Sequence, residues 1–212
     1  MKELTKEELE IIKKLNTPSK IQTFLNALKI NYEEGEDTCY SPRKVLQEKS
    51  AHCIEGAILA AMILRYHGHE PLIVDMTATP KDWDHVIAVF KKNDKWGAIS
   101  KTNHVVLRYR EPVYDSIREL IMSFFHEYTD DFGNKTLRSY SNPVNLKKFD
   151  RLNWMSTFDH LWEIAEHLVT VKHYPVLTRS QIQGLRKLDD LEIQAGTLLE
   201  HPKDNLVNQI DI

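Results

Sequence analysis

The strongest constraint on the fold is the run AILAAMIL at residues 57–64, which is apolar on every side rather than along one stripe. A helix without a polar face is typical of a position in the middle of a domain. Ser50 is expected to cap the start of this helix and Gly68 to end it. Cys53 then lies in the first turn. The sequence therefore predicts a domain built around one buried helix.

Three apolar segments with the length and composition of strands follow that helix. They cover residues 71–76, 86–90 and 95–100, and Asn93-Asp94 is placed to turn the chain between the last two. Connections this short join antiparallel neighbours, because parallel strands need a long crossover. We predict an α+β fold in which the buried helix packs on a small antiparallel sheet.

Two amphipathic helices are predicted ahead of this centre. Thr5 with Glu8 matches a capping box before the first, and Thr17-Pro18 supplies an N-cap and a proline suited to the first position of the second. The acidic segment 33–41, which contains a glycine, is typical of a loop. One short helix is predicted over residues 43–49.

The C-terminal half is predicted to be mainly helical. The apolar spacing predicts an edge strand over 136–141, a weakly ordered tail, and helices over 113–128, 154–171 and 178–191. We expect a single domain over residues 1–212. Its parts are a core at about 43–141, N-terminal helices within 1–32 and a C-terminal helical extension at 150–212.

Bulk properties argue against several classes of function. The formal net charge of -3 does not favour a polyanion, so we expect no nucleic-acid partner. Charges recur every few residues at the N-terminus, and no segment has the roughly 18 to 20 apolar residues of a membrane span. With only Cys39 and Cys53 present, we expect reduced thiols and a cytoplasmic location. The oligomeric state is not predicted.

Cys53 is the candidate nucleophile. Free backbone N–H groups and the positive end of the helix dipole both favour a negative sulfur in the first turn of a helix. A thiolate also needs a base within hydrogen-bond reach. His85 opens the second predicted strand, after a helix, a strand and a turn that would bring the chain back. A cysteine and a histidine taken singly are usually packing or surface residues, so the hypothesis depends on their combination.

The order of these elements resembles the transglutaminase-like superfamily. The resemblance is carried by Ala51–Ala57 running to Leu64–Gly68, Glu70–Asp75, Asp84–Phe90 and Lys95–Ser100. Residues 101–120 and 125–141 are similar to an uncharacterised bacterial group within it. The resemblance implies a papain-like core with Cys53 as nucleophile and His85 as base. It also implies a hydrolase or acyltransferase that acts on an amide bond of a peptide or protein.

The third catalytic residue is left open. The resemblance puts Ser100 where aspartate is usual, and a serine cannot balance an imidazolium with a full charge. Asn103 could orient His85 as an asparagine does in papain-like enzymes, and we rank it first. Ser100 itself comes next, then Asp75 at the end of the preceding strand, and the pair acting without a third residue remains an alternative.

Two other functions compete with the enzyme. A catalytically inactive member of the fold would bind a peptide or protein in the cleft, and the missing aspartate favours this alternative. A metal or redox sensor would use Cys53, Cys39 and nearby histidines. His67 and His69 flank Gly68, but histidines near a helix C-terminus more commonly interact with the helix dipole. Zinc-site motifs are absent from the sequence, so no metal and no other cofactor is predicted.

Overall fold

A computed structural model describes residues 4–33 and 35–202 of the chain. The fold is mixed α+β, as predicted. In the described residues the α-helices are α1 Lys6–Lys14, α2 Pro18–Ala27, α3 Pro42–Glu48, α4 Cys53–Tyr66, α5 Ile117–Met122, α6 Trp162–Thr170, α7 Arg179–Gln183 and α8 Asp190–Gly196, with a 3-10 helix at Leu146–Leu152. The strands are β1 Lys29–Ile30, β2 Ser50–Ala51, β3 Leu72–Thr77, β4 His85–Lys92, β5 Lys95–Ile99, β6 Arg110–Tyr114, β7 Ser139–Ser141, β8 Val144–Asn145 and β9 His173–Pro175.

Both N-terminal helices begin where their capping residues predict. The Thr5 side chain accepts a hydrogen bond from the Glu8 backbone N–H, and the Glu8 carboxylate accepts one from the Thr5 N–H at 2.7 Å. Thr17 caps α2 in the same sense, through the Lys20 N–H. The apolar sides of both helices are buried in the main core. α1 and α2 therefore cover one side of the central helix.

The predicted central helix is α4, and its side chains from Ile54 to Leu64 are buried. The structure corrects its start: the N-cap is His52, and Ser50 belongs to β2, which pairs in parallel with β1. Pairing with β1 keeps Ser50 extended, so the helix cannot start there. The end is as predicted, because Gly68 takes the left-handed φ of +89° just past the last turn.

The main sheet is largely the one predicted. The order of its strands is β6-β5-β4-β3-β7-β9, with β8 also pairing with β3, and the pairings are antiparallel. Asn93 and Asp94 turn the chain between β4 and β5 with φ of 50° and 61°. Positive φ at two successive residues matches the twist of a tight hairpin.

Alternate residues of the central strands pack into two different cores. In β4, Val86, Ala88 and Phe90 join the core that contains α4. Ile87 and Val89 join a second core that contains the apolar side of α5. A strand with both faces covered is apolar throughout, which explains why β4 has no alternation of polar and apolar residues.

The structure corrects the predicted C-terminal half in several places. Residues 110–114 form β6, paired with β5, and Ser116 caps a helix that covers only 117–122 of the predicted 113–128. The N-cap sets the start of this helix. The Ser116 hydroxyl accepts a hydrogen bond from the Glu119 N–H, so the first helical residue is 117. The predicted edge strand at 136–141 is shorter and interior, since β7 lies between β3 and β9.

The last predicted helices are also shorter. The 154–171 helix starts only at Trp162, after a 3-10 helix and a turn, and 178–191 contains α7 and the start of a separate α8. Thr178 and Asp189 each form a capping box, so two helix starts replace one. The predicted weakly ordered tail begins after residue 191; α8 covers its start, and its residues from position 203 onward lie outside the described part of the chain. No helix in the described ranges has both the length and the apolarity that a membrane crossing requires.

Candidate active site

Cys53 is the first residue of α4 and lines a cavity of about 530 Å³. Cys53 forms no disulfide, and the residue is partly exposed. Backbone N–H groups in the first turn of a helix have no partner within the helix, and they point toward its N-terminal end. Cys53 therefore borders the cavity and lies at the positive end of the buried helix.

His85 lies near Cys53 in the same cavity. It is the first residue of β4, where it pairs with Met76 of β3, and its side chain is buried. The ring lines the same cavity as Cys53 and is close enough to lower the pKa of its thiol. The Nε2 atom lies 2.8 Å from the Ser100 hydroxyl. The nitrogen that remains for exchange of the cysteine proton is therefore Nδ1.

Ser100 occupies the orienting position next to His85 and is itself held by Gln22 of α2. The Ser100 N–H donates to the Gln22 Oε1 at 2.9 Å, and the Gln22 Nε2 donates to the Ser100 carbonyl at 2.7 Å. Both residues are buried. This double contact fixes the hydroxyl beside the imidazole. Ser100 thus positions His85 but supplies no charge.

Asn103, the residue ranked first for this role, has other partners. Its amide donates to the Tyr32 hydroxyl at 2.9 Å and to the His201 carbonyl, and its oxygen accepts from the His201 N–H. β5 ends at Ile99, and Asn103 lies four residues beyond it. At that point the chain contacts the residues near position 201. The sequence ranking is corrected: Asn103 anchors residues near 201, and Ser100 holds His85.

Asp75 also has a different partner. Its carboxylate lies 3.1 Å from the Nε2 of His173, which belongs to β9. Burial raises the pKa of Asp75 to about 6, against the lowering effect of the hydrogen bond with His173. This pair ties β3 to the last strand of the sheet.

Two residues that the sequence analysis missed complete the surroundings of the sulfur. His52 lines the same cavity directly before Cys53 in the chain, and its Nε2 lies 3.4 Å from the Glu55 carboxylate. Glu55 is fully buried in α4. The available signal was the glutamate itself, since it is a charged residue at the start of an otherwise apolar helix. Cys53 therefore lies between two histidines, one with a serine partner and one with a carboxylate partner.

The Glu55 carboxylate is saturated with hydrogen-bond donors. One oxygen accepts from the Thr38 hydroxyl and the Tyr40 N–H, both at 2.8 Å, and the other accepts from the His52 N–H at 3.0 Å. The Asn31 amide contacts both oxygens. Burial alone would raise the pKa of Glu55, but the His52 contact and these donors lower it to about 2. Glu55 is therefore an anion at any physiological pH.

The two cysteines have opposite electrostatic environments. Burial would raise the pKa of Cys53, but hydrogen bonds and charge from His52 and His85 lower it to about 5. Cys39 is buried close to Glu55, and its pKa rises to about 12 through burial and the negative charge of that carboxylate. Only Cys53 is thus a thiolate near neutral pH, which is the form that attacks carbonyl carbon.

Two aromatic side chains stand at the cavity wall. Trp83 is 88% exposed and Phe132 is 75% exposed, although both line the same cavity as Cys53. The intervening Tyr128 is buried and donates to the Trp83 carbonyl at 2.8 Å. Exposed rings beside a reactive thiol provide apolar surface for part of a substrate.

Metal ligation has little support in the described part of the chain. No group of three His, Cys, Asp or Glu side chains within it is arranged to hold a metal ion. The His67 Nε2 lies 2.9 Å from the Ile12 carbonyl, and His69 packs edge-on against Phe90. These two histidines therefore contact α1 and the core instead of converging.

Comparison with known proteins gives no assignment. No protein-family model matches the chain, and no curated protein matches it. The geometry around Cys53 is therefore the basis for assigning a function.

Proposed function

We propose that this protein is a cysteine-dependent enzyme that acts on amide bonds, a hydrolase or acyltransferase of the transglutaminase-like type on a papain-like core. The single observation that carries the proposal is that Cys53 and His85 line the same cavity, with the histidine close enough to lower the pKa of the thiol. A nucleophile at a helix N-terminus with a base from a neighbouring strand is the arrangement that acyl transfer through sulfur requires. The substrate class is a peptide or protein amide.

The reaction follows from the positions of these groups. Near neutral pH Cys53 has already given its proton to His85, and the thiolate forms a bond to the carbonyl carbon of the amide. The protonated His85 then gives its proton to the leaving amine as the carbon–nitrogen bond breaks, which leaves a thioester on Cys53. Water or a second amine, deprotonated by His85, attacks the thioester and releases the acyl group.

Backbone N–H groups at the start of α4 would stabilise the oxyanion. The first intrahelical bond accounts for the Gly56 N–H, which donates to the His52 carbonyl at 2.9 Å. The N–H groups of Cys53 and Ile54 precede it in the first turn. Hydrogen bonds to an oxyanion are typically worth a factor of about 100 to 1,000 in rate. Their position next to the sulfur supports acyl chemistry rather than simple binding.

A second candidate is an inactive member of the same fold that binds a peptide or protein in the cleft. The observation that favours it is Ser100, a neutral residue where a charged partner of His85 is expected. A binding module needs the cavity and the exposed rings, but it does not need a thiolate.

The experiment that separates the two uses p-nitrophenyl acetate as a probe of acyl transfer. An enzyme releases a burst of about one equivalent of p-nitrophenol, followed by slower turnover, and mass spectrometry finds the acetyl group on Cys53. Hydroxylamine added as a second acceptor gives acetohydroxamate if acyl transfer competes with hydrolysis.

Three variants control this assay. Cys53→Ala should abolish the burst, and Cys39→Ser should retain it, because the Cys39 thiol is buried. His85→Ala should lose steady-state turnover by about 100-fold or more, since general-base catalysis typically contributes that much. Acetylation at lysines instead of Cys53, with no difference between Cys53→Ala and the parent protein, would refute the enzyme and leave the binding module.

A further inference from the structure

We infer that His52, paired with Glu55, is a further catalytic residue that supplies the positive charge stabilising the Cys53 thiolate, while His85 moves the proton. This inference rests on the proposed function, because it assigns the source of charge at the same sulfur. His85 has no charged partner of its own, because its Nε2 contacts the neutral hydroxyl of Ser100. His52 would supply the missing charge.

The groups around the His52 ring favour its protonated form. Its Nε2 lies 3.0 Å from the Thr38 carbonyl oxygen, which can only accept a hydrogen bond. The same nitrogen is 3.4 Å from a Glu55 oxygen and 3.5 Å from a Glu33 oxygen. Three acceptors around one nitrogen require that it carries a proton. A second proton on the ring is favoured because two of those acceptors are carboxylates.

Glu55, the counterion of His52, stays ionised. Glu55 is enclosed by donors from Asn31, Thr38 and Tyr40, and it has no exposed surface. Buried charges attract each other more strongly than exposed ones because water and salt do not screen them. Proton transfer from His52 to Glu55 is opposed by all of these donors. The imidazolium is therefore stable throughout a catalytic cycle.

Other titratable groups also surround the pair of His52 and Glu55. The loop after β1 contributes Glu33, β4 contributes His85, and Tyr128 and Lys101 line the cavity with Asp82 and Asp84. Tyr128 is buried, and burial together with nearby negative charge raises its pKa, so it is neutral. The Lys101 ammonium donates to the Leu28 carbonyl at 2.6 Å and is held there. Of these groups, the two histidines are the ones that lower the pKa of the Cys53 thiol.

The two histidines therefore have separate tasks. His85 has a neutral partner, so its proton is free to move between sulfur, leaving amine and water. His52 has a fixed anionic partner, so its proton stays. Consistent with this division, hydrogen bonds to Cys53 and Glu55 raise the pKa of His52 to about 11, although burial acts in the opposite direction.

The test measures the pH dependence of alkylation of Cys53 by iodoacetamide, in full-length protein with Cys39→Ser. The readout is the midpoint of the rate profile and not the rate itself, because a more basic thiolate is also a better nucleophile. The parent protein should have a midpoint near pH 5. His52→Gln should move it upward by about two pH units or more, since it removes a buried positive charge beside the sulfur.

Two further variants separate charge from packing. Glu55→Gln keeps most of the shape of the glutamate but removes its charge, and it should move the midpoint in the same direction by about one pH unit. Ser100→Ala removes a neutral contact of His85 and should leave the midpoint within about half a unit. A merely structural role for Glu55 would lower stability without moving the midpoint.

The outcomes distinguish this inference from the proposed function. A parent midpoint near 5 that does not change in His52→Gln overturns the role of His52 and leaves the enzyme standing. A parent midpoint near that of an ordinary thiol, about 8.5, overturns both. Nitrogen-15 NMR of the parent protein at pH 8 gives an independent measurement should His52→Gln not fold. An imidazolium signal from His52 supports the inference, and a neutral ring refutes it.

Discussion

Replacement of Glu55 by glutamine is expected to lower the stability of the protein by an amount that depends on pH. The carboxylate has no exposed surface and forms hydrogen bonds with four residues around the head of α4. The oxygen of glutamine can still accept from the Thr38 hydroxyl and the Tyr40 N–H. Its NH2 group would then face the His52 N–H and the Asn31 amide, which both donate to the carboxylate. The variant thus loses both the negative charge and part of the network.

The size of the charge contribution follows from the pKa of Glu55, which is about 2 in the fold against an ordinary value of 4.5. This difference corresponds to about 3 kcal/mol in the free energy of unfolding, since a tenfold ratio is worth about 1.4 kcal/mol. The pKa is lowered in the folded state, so the contribution is complete above pH 4.5 and is lost as the pH falls toward 2. Between pH 5 and pH 3, about 2 kcal/mol of it should disappear.

Urea unfolding at pH 5, 4 and 3 measures this loss. The stability difference between the parent protein and Glu55→Gln should shrink steadily over that range, while acid effects common to both proteins cancel. His52 is protonated in the folded and unfolded states at these pH values, so it does not contribute to the trend. The lowered pKa of Cys53 acts mainly at higher pH, between 9 and about 5.

Glu10→Gln is the matched control for this experiment. Glu10 forms a 3.2 Å ion pair with Lys13 on the surface, where its side chain is 63% exposed, so its loss should change stability by less than about 1 kcal/mol at any pH. A difference between parent and Glu55→Gln that stays constant from pH 5 to pH 3 would show that Glu55 acts by shape alone. The electrostatic argument for the site would then be wrong.

Three other outcomes are expected. Ellman's reagent at pH 7 should modify Cys53 rapidly and Cys39 only after unfolding. The reason is that burial raises the pKa of Cys39 to about 12. Equal reaction rates of the two thiols in the folded protein would contradict this prediction. Ser100→Ala should slow turnover of p-nitrophenyl acetate by about tenfold through looser positioning of His85, and unchanged turnover would remove Ser100 from the site. Gly56→Ala should cost about 1 to 3 kcal/mol in urea unfolding, since a methyl group there would overlap the Lys101 side chain; Gly196→Ala, with open space around it, is the control.

The central part of the fold could be predicted because local signals there agree with the tertiary environment. The capping pairs at Thr5 and Thr17 set the starts of α1 and α2, and the hairpin turn at Asn93-Asp94 joins two adjacent strands. Each of these depends on residues close together in the chain. The helix predicted over 113–128 failed because its first residues pair with β5, and apolar spacing alone does not distinguish a paired strand from a helix turn.

The sequence by itself determined that a cysteine would open a buried helix and that a histidine would open a nearby strand. Both follow from apolar periodicity and from short connections between consecutive elements. Only the tertiary structure decided which groups surround the sulfur. Ser100 reaches His85 because Gln22, 78 residues away in the chain, holds its backbone. Glu55 can remain charged inside the protein because loop residues near position 38 turn their donors toward it. Stabilisation of a buried charge requires donors from several segments, and their convergence depends on the packing of the whole fold.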